Sequence, residues 1–286
     1  MIDLHTHTTA SDGRCSPAEL VSRAAAAGVD VLSVTDHDTT AATAAASSAC
    51  TSAGIAFVPG IEITAVVDGS DVHVLGYFID PDSASLAVFL AEQRRRRLDR
   101  VRQIIDRLQT LGIVLDREAV LQPGRDDTTK AAGRPWIARA LVEAGYVADT
   151  KEAFDRFLTT GKPAFVSRIG PSPTEVFARI HESGGIASLA HPGLLGRDDL
   201  IPGLARAGLD AIEAHHSRHA PDVTQRYLAM ADEYGLAVSG GSDYHADLSH
   251  DTGGPGSVSL PPAAFQVLKG RCAARRATAS GAATSS

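Results

Sequence analysis

The chain has 286 residues, 44% of them hydrophobic, with a formal net charge of −7 and an isoelectric point near 5.9. That length supports one large core, and the acidic balance excludes the basic field that long duplex nucleic acid requires, so a small partner is expected. Cys15, Cys50 and Cys272 are odd in number and lack C-x-x-C spacing, and no apolar run reaches the length of a membrane span. With no leader-like segment at the start, a reducing, cytoplasmic location is expected.

"IDLHTH" reads as a strand, and "SPAELVSRAAAAG" as a helix with Ser16 as N-cap, Pro17 in its first turn and Gly28 as its stop. "VDVLSVTDHD" is a β-branched run, "TAATAAASSACTSAG" is helix-compatible, and "IAFVPGIEIT" and "DVHVLGYFID" read as two further strands. This rhythm predicts βαβ units and a mainly parallel sheet over residues 1–80. From 81 to 168 helical periodicity takes over, with the long stretch "LAVFLAEQRRRRLDRVRQIIDRLQTLG", then "RPWIARALVEAGYV" and "KEAFDRFLTTG", so this segment reads as a helical insertion. The α/β rhythm resumes over 169–270 with "IASLAHPG", "LDAIEAHHSRH" and "LAVSGGSDYH". About seven strand-like runs result, close to the eight of a full (β/α) barrel. The tail, 271–286, is small and polar and reads as disordered.

Functional side chains of parallel barrels sit at strand C-termini and in the loops that follow. His5 and His7, two apart, share one face of the first strand, and Asp12 follows. His37, Glu62, His73, His191, Asp243 and His245 close other runs. Nine imidazoles and carboxylates at one end of a barrel read as metal-ligand chemistry. Glu62, a carboxylate at a central strand end, is suited to bridging two cations.

"DLHTHTTASDG", "TDHDT", "GIEIT", "VHVLGYFID", "LAHPG" and "GSDYH" resemble, in order, the PHP (polymerase and histidinol phosphatase) family of metal-dependent phosphoesterases. The resemblance implies an α/β fold, a distorted seven-stranded TIM-like (β/α) barrel holding two or three divalent ions. It places one ion on His5, His7, Glu62 and Asp243, a second on Glu62, His73 and His191, and a third on Asp12, His37 and His245. Mixed imidazole and carboxylate donors suit Mn, Zn or Fe(II).

"GRPWIARALVEAGY" resembles the insert of the subgroup of small-nucleotide phosphatases and 5'-3' exoribonuclease-like enzymes, in which it caps the barrel mouth. Arg134 is the expected phosphate clamp. Trp136 stands where that subgroup often has His, and has two readings, stacking on a base or anchoring the insert, of which the second is preferred. Arg218 and His219 are further substrate-binding candidates, and Lys162 is a weaker one. At most one of His215 and His216 faces the site. Arg94 to Arg97 read as a solvated helix face, and His181 and His250 as surface residues.

The expected reaction is hydrolysis of a phosphate ester in a nucleoside 3',5'-bisphosphate or at the 5' end of a short RNA, by hydroxide activated on the metals near Glu62. Asp243 or His245 would assist proton transfer. Alternatives are a histidinol-phosphate or sugar-phosphate phosphatase, a cyclic phosphodiesterase and, remotely, a non-catalytic module. The chain has neither a G-x-S-x-G elbow nor a phosphate-binding G-x-x-x-x-G-K-[ST] loop.

Overall fold

The computed structural model describes residues 1–247 and 253–283; His250 lies outside them. Seven strands form one sheet in chain order: β1 (Ile2–Asp3), β2 (Val31–Val34), β3 (Ala56–Val67), β4 (Ser70–Tyr77), β5 (Ile186–Leu189), β6 (Ala211–His216) and β7 (Ala237–Gly241). β7 returns to the first segment, where Leu4 N–H donates to Gly240 O at 3.2 Å and Asp243 N–H donates to His5 O at 2.8 Å. The buried carboxylate of Asp3 reinforces this seam by accepting from Ser242 N–H (2.9 Å) and Gly256 N–H (2.7 Å). The sheet is thereby nearly closed into a distorted α/β barrel.

The expected parallel arrangement fails at one strand, because β4 is antiparallel to both β3 and β5. The cause is local. Asp68 and Gly69 both have positive φ (51° and 74°), which is the backbone of a two-residue hairpin turn rather than a helical crossover. Reversal of β4 brings the beginning of that strand to the mouth of the barrel, and His73, paired with Thr64, lies in this half.

Helices α1 (Pro17–Ala26) and α2 (Thr43–Ala53) pack outside the first strands. Ser16 caps α1 as expected, in a reciprocal capping box with Glu19. Between β4 and β5 lie α3 (Ala84–Thr110), α4 (Arg117–Asp126), α5 (Arg134–Glu143), α6 (Thr150–Ala153), which runs on as a π turn to Leu158, and α7 (Pro173–Glu182). Residues from α3 to Val166 share an apolar core of their own, built on Val101, Ile104, Leu108, Trp136, Ile137 and Leu141. Trp136 is buried and its indole N–H donates to Ser11 O at 3.3 Å, so it ties the helical segment to the loop after β1.

After β5 come α8 (Pro192–Leu195), α9 (Ile201–Arg206), α10 (Pro221–Glu233) and α11 (Pro262–Ala283). α11 corrects the expectation of a disordered tail from residue 271. Leu268 and Cys272 are buried with Leu75, Tyr77 and Ile186, Arg275 donates to Asp210 at 3.1 Å, and Arg276 donates to Gly184 O at 2.8 Å. A segment rich in alanine, the best helix former, gains tertiary anchors that its composition does not advertise. His181, expected at the surface, is half-buried and pairs with Asp210 at 2.7 Å.

Candidate metal centre

The mouth of the barrel is built from the loop after β1 outward. Asp36 is buried and accepts from Thr8 N–H (2.8 Å), Thr8 Oγ1 (2.6 Å) and Ser11 Oγ (2.6 Å), which pins the loop carrying Asp12. Gly13 makes the fold-back possible, since a Cβ there would stand 2.5 Å from His7 O. Asp12 Oδ1 consequently lies 3.7 Å from His7 Nδ1 and 3.5 Å from His245 Nε2, and Asp12 Oδ2 lies 3.6 Å from His37 Nε2.

Glu62 is almost fully buried, and its two oxygens divide the histidines between them. Oε2 lies 3.2 Å from His7 Nε2, 3.4 Å from His5 Nε2 and 3.2 Å from His37 Nδ1. Oε1 lies 2.8 Å from His73 Nδ1 and 3.2 Å from His191 Nε2. Asp243 Oδ1 completes the first set, at 3.2 Å from His5 Nε2 and 3.3 Å from His7 Nε2. All nine residues singled out in the sequence therefore converge on one region.

Donor groups close enough to share an ion, among the described residues, are His7–Asp12–His37–His245, His5–His7–Glu62, His37–Glu62–His73 and His5–His216–Asp243. The grouping differs from the expected division: His37 faces Glu62 as well as Asp12, His7 joins the Asp12 group as well as the Glu62 one, His216 joins Asp243, and His191, outside these groups, meets the cluster through Glu62 Oε1. His216 Nδ1 accepts Arg218 N–H at 3.1 Å, so its Nε2–H is the group 3.3 Å from Asp243 Oδ2. That tautomer orients the carboxylate rather than offering it a rival donor atom.

The donor set fits divalent cations. The Nδ1 atoms of His7, His37, His73 and His191 are buried without a hydrogen-bond partner, although carboxylate oxygens stand 2.8–3.7 Å from three of them. Nitrogens and oxygens this close and yet not bonded are aimed at common points between them, as atoms arranged around an ion are. Burial opposes charge on Asp12, Glu62 and Asp243, but the surrounding imidazoles hold all three well below the ordinary carboxylate range. Burial likewise opposes protonation of His7, yet hydrogen bonds to Asp243 and Glu62 push it up to about 10. His37, by contrast, is held well below the ordinary imidazole range by burial.

A cavity of about 530 Å³ opens over the cluster, within the range of small-molecule sites. One wall carries His37, Glu62, His73, His191, Asp243 and His245; the other carries Arg97, Arg134 and Arg168. Arg134 lies 3.5 Å from Asp71 and donates to Leu158 O at 3.3 Å. Arg168 donates to Asp71 at 3.2 Å, and Arg97 pairs with Asp38 and donates to Thr64 Oγ1 at 3.0 Å. Arg97 corrects the reading of Arg94 to Arg97 as a solvated face, because it is buried under the cavity, and so is Arg100 one turn on.

Arg218 lines the cavity, 3.9 Å from Asp243. His219 does not turn into it. Its Nε2 accepts Gly193 N–H at 3.2 Å and its Nδ1–H donates to Ala214 O at 2.9 Å, so both ring nitrogens are committed to backbone. Lys162 is exposed and outside the cavity wall. Sequence reasoning did not find Asp38, Asp71, Arg168 or the orienting role of His216. Only an acidic or basic residue inside an otherwise apolar run, such as Glu213 in "AIEAHH", offered a local sign of such burial.

With this geometry in view, the profile of the PHP domain matches residues 3–158, more than half of the chain. The chain belongs to the PHP family. It is a metal-dependent phosphoesterase by the standard of its PHP relatives. It is 37% identical to the 3',5'-nucleoside bisphosphate phosphatase of Chromobacterium violaceum over 250 residues, 86% of this chain and 87% of that one. It is 36% identical to the 5'-3' exoribonuclease Rnm of Escherichia coli over 253 residues, 85% and 84% of the two chains. Among solved PHP-like structures, a Chromobacterium violaceum amidohydrolase with bound sulfate and no metal superposes with a TM-score of 0.84 at 35% identity, covering 94% and 96%. A Bifidobacterium adolescentis protein assigned to the metal-dependent phosphoesterases gives a TM-score of 0.85 at 30% identity, covering 94% and 95%. Among the described residues no helix is long and apolar enough to cross a membrane.

Proposed function

We propose that the chain hydrolyses a phosphate ester of a small nucleotide carrying a second phosphate, either a nucleoside 3',5'-bisphosphate or the 5' end of a short RNA. The observation that carries this is the two-walled cavity. Opposite the histidine and carboxylate wall, the guanidiniums of Arg97, Arg134 and Arg168 line the cavity, and with the buried Arg100 they share ion pairs with two carboxylates, Asp38 and Asp71. Burial and the neighbouring arginines push Arg100 down to about 9 and Arg168 down to about 10, the mark of positive charge that is not fully offset. An anion bound there would relieve it, and planar guanidiniums are suited to gripping phosphate oxygens. The names of the bisphosphate phosphatase and exoribonuclease relatives, and the sulfate in the related structure, point the same way.

In this reading His5, His7, Glu62 and Asp243 hold one ion, Glu62 with His73 and His191 a second, and Asp12, His37 and His245 a third. Divalent ions such as Mn, Zn or Fe(II) would supply Lewis-acid charge to activate water and to offset the charge of the reacting phosphoryl group. Arg134 and Arg168 grip the distal phosphate, and Arg218 faces the reacting one. Asp243 is the proposed acceptor of a proton from the attacking water, through Oδ2, the oxygen not turned to His5 and His7. His245 serves as a ligand rather than an acid, since its Nδ1–H donates to Asp243 O at 2.8 Å and leaves Nε2 bare toward Asp12. The three cysteines are buried and none is in a disulfide, which suits work in the reducing cytoplasm.

Protein loaded with manganese and given adenosine 3',5'-bisphosphate, histidinol phosphate and a 5'-phosphorylated short RNA in parallel tests the assignment. Release of phosphate from the bisphosphate, or of mononucleotides from the RNA, is expected. Turnover of histidinol phosphate alone would transfer the assignment to that class.

A further inference from the structure

β6 supplies none of the proposed ligands, yet its side chains touch the segments that do. Glu213 is fully buried, and its two oxygens take different partners. Oε1 lies 2.9 Å from His5 Nδ1, and Oε2 accepts the backbone N–H of His191 at 2.7 Å. The other nitrogen of His5, Nε2, is the atom that faces Glu62 and Asp243, at 3.4 and 3.2 Å. His191 sits at φ 27° and ψ 58°, in the left-handed region that residues other than glycine rarely adopt. Its Nε2 points at Glu62 Oε1, on the other side of the shared carboxylate.

We propose that Glu213 is a positioning residue that fixes two metal-ligand histidines at once, by setting which nitrogen of His5 carries the proton and by holding His191 in its strained conformation. The proposal rests on the reading of His5 and His191 as ligands. A carboxylate can only accept, so it keeps a proton on His5 Nδ1 and leaves Nε2 bare for a cation. One side chain thus serves two elements, β1 and the turn after β5, whose ligands meet at opposite oxygens of Glu62. The two ion positions sharing Glu62 are therefore set together, whereas the two bonds of Glu213 go to His5 and His191 and to no ligand of the position at Asp12, His37 and His245.

Glu213→Gln separates the two bonds chemically. The amide has one accepting atom and one donating group, and the backbone N–H of His191 cannot change its role, whereas His5 can change tautomer. The glutamine oxygen will therefore face His191 N–H, and its NH2 will face His5 and drive the proton from Nδ1 to Nε2. His5 then loses its ligand atom although nothing in the metal cluster has been substituted.

The test is zinc binding by calorimetry and metal analysis, with 15N spectra of histidine-labelled zinc-loaded protein in which the His5 signal is identified from a His5→Gln variant. In the wild type, His5 should carry its proton on Nδ1. In Glu213→Gln the proton should appear on Nε2, and zinc affinity at the two Glu62-linked positions should fall about 10–100-fold while the third ion is kept. Glu213→Asp, which keeps the charge but is too short to reach both partners, serves if the glutamine variant does not fold, and it too must lose affinity at these two positions. Wild-type affinity with an unchanged His5 tautomer, or equal loss at all three positions, overturns the role of Glu213. A wild-type protein that binds no zinc or manganese overturns instead the ligand assignment on which it rests.

Discussion

Two substitutions separate the walls of the cavity at the level of single residues. Arg134→Ala removes a charge-assisted contact worth about 2 kcal/mol, so KM for adenosine 3',5'-bisphosphate should rise on the order of 30-fold while metal content stays intact. Loss of metal in that variant would refute the substrate role. Glu62→Ala takes away both oxygens on which the histidines converge, so metal analysis should show two ions lost together and turnover abolished. The nine candidate ligands were legible because imidazoles and carboxylates at strand ends are conspicuous against apolar runs. Their supports were not, since nothing local tells that Asp36 holds the loop of Asp12 or that His216 orients Asp243. Those partnerships exist only once β1, β2, β6 and β7 lie side by side.

Among the elements, the reversed strand β4 is the feature with the largest effect on the site. It depends on the turn at Asp68 and Gly69, and Gly69 has φ 74° with open space where a Cβ would stand. Gly69→Ala should therefore cost backbone strain alone, about 1 kcal/mol, and lower Tm by about 2–4 °C. A calorimetric scan that shows no change would mean the turn has another conformation. The dipeptide Asp-Gly between two β-branched runs carries a hairpin signal, so this reversal was legible in principle. The reading of residues 1–80 as βαβ units with a mainly parallel sheet passed over it. The long helix α3 was legible from its period, but a run of arginines reads the same whether it faces water or, as at Arg97, a buried aspartate.

For the whole molecule, the cluster joins side chains from β3 and β4 with others just beyond β1, β2, β5 and β7, and it gathers three ionised carboxylates in a buried space. Removing cations should therefore loosen the barrel as a unit. Each ion present at 100 times its Kd contributes about 2.7 kcal/mol, so Tm in excess manganese should exceed Tm in a chelator by several degrees. Equal values would argue against tight binding at these residues. The barrel with its helical segment was legible from the alternation of runs, whereas α11 was not, because its anchors to Asp210 and Gly184 lie far back in the chain.

The contact between Trp136 and Ser11 has a practical consequence. Trp136 is the single tryptophan of the chain, and its indole N–H is bonded one residue away from Asp12. The molecule thus contains its own optical probe at the junction of the helical segment and the candidate metal centre. Indole emission can be followed in unlabelled protein while manganese, a paramagnetic quencher, is titrated in. A nucleotide added afterwards can be watched through the same fluorophore, so the order in which ion and substrate arrive can be read from one native signal.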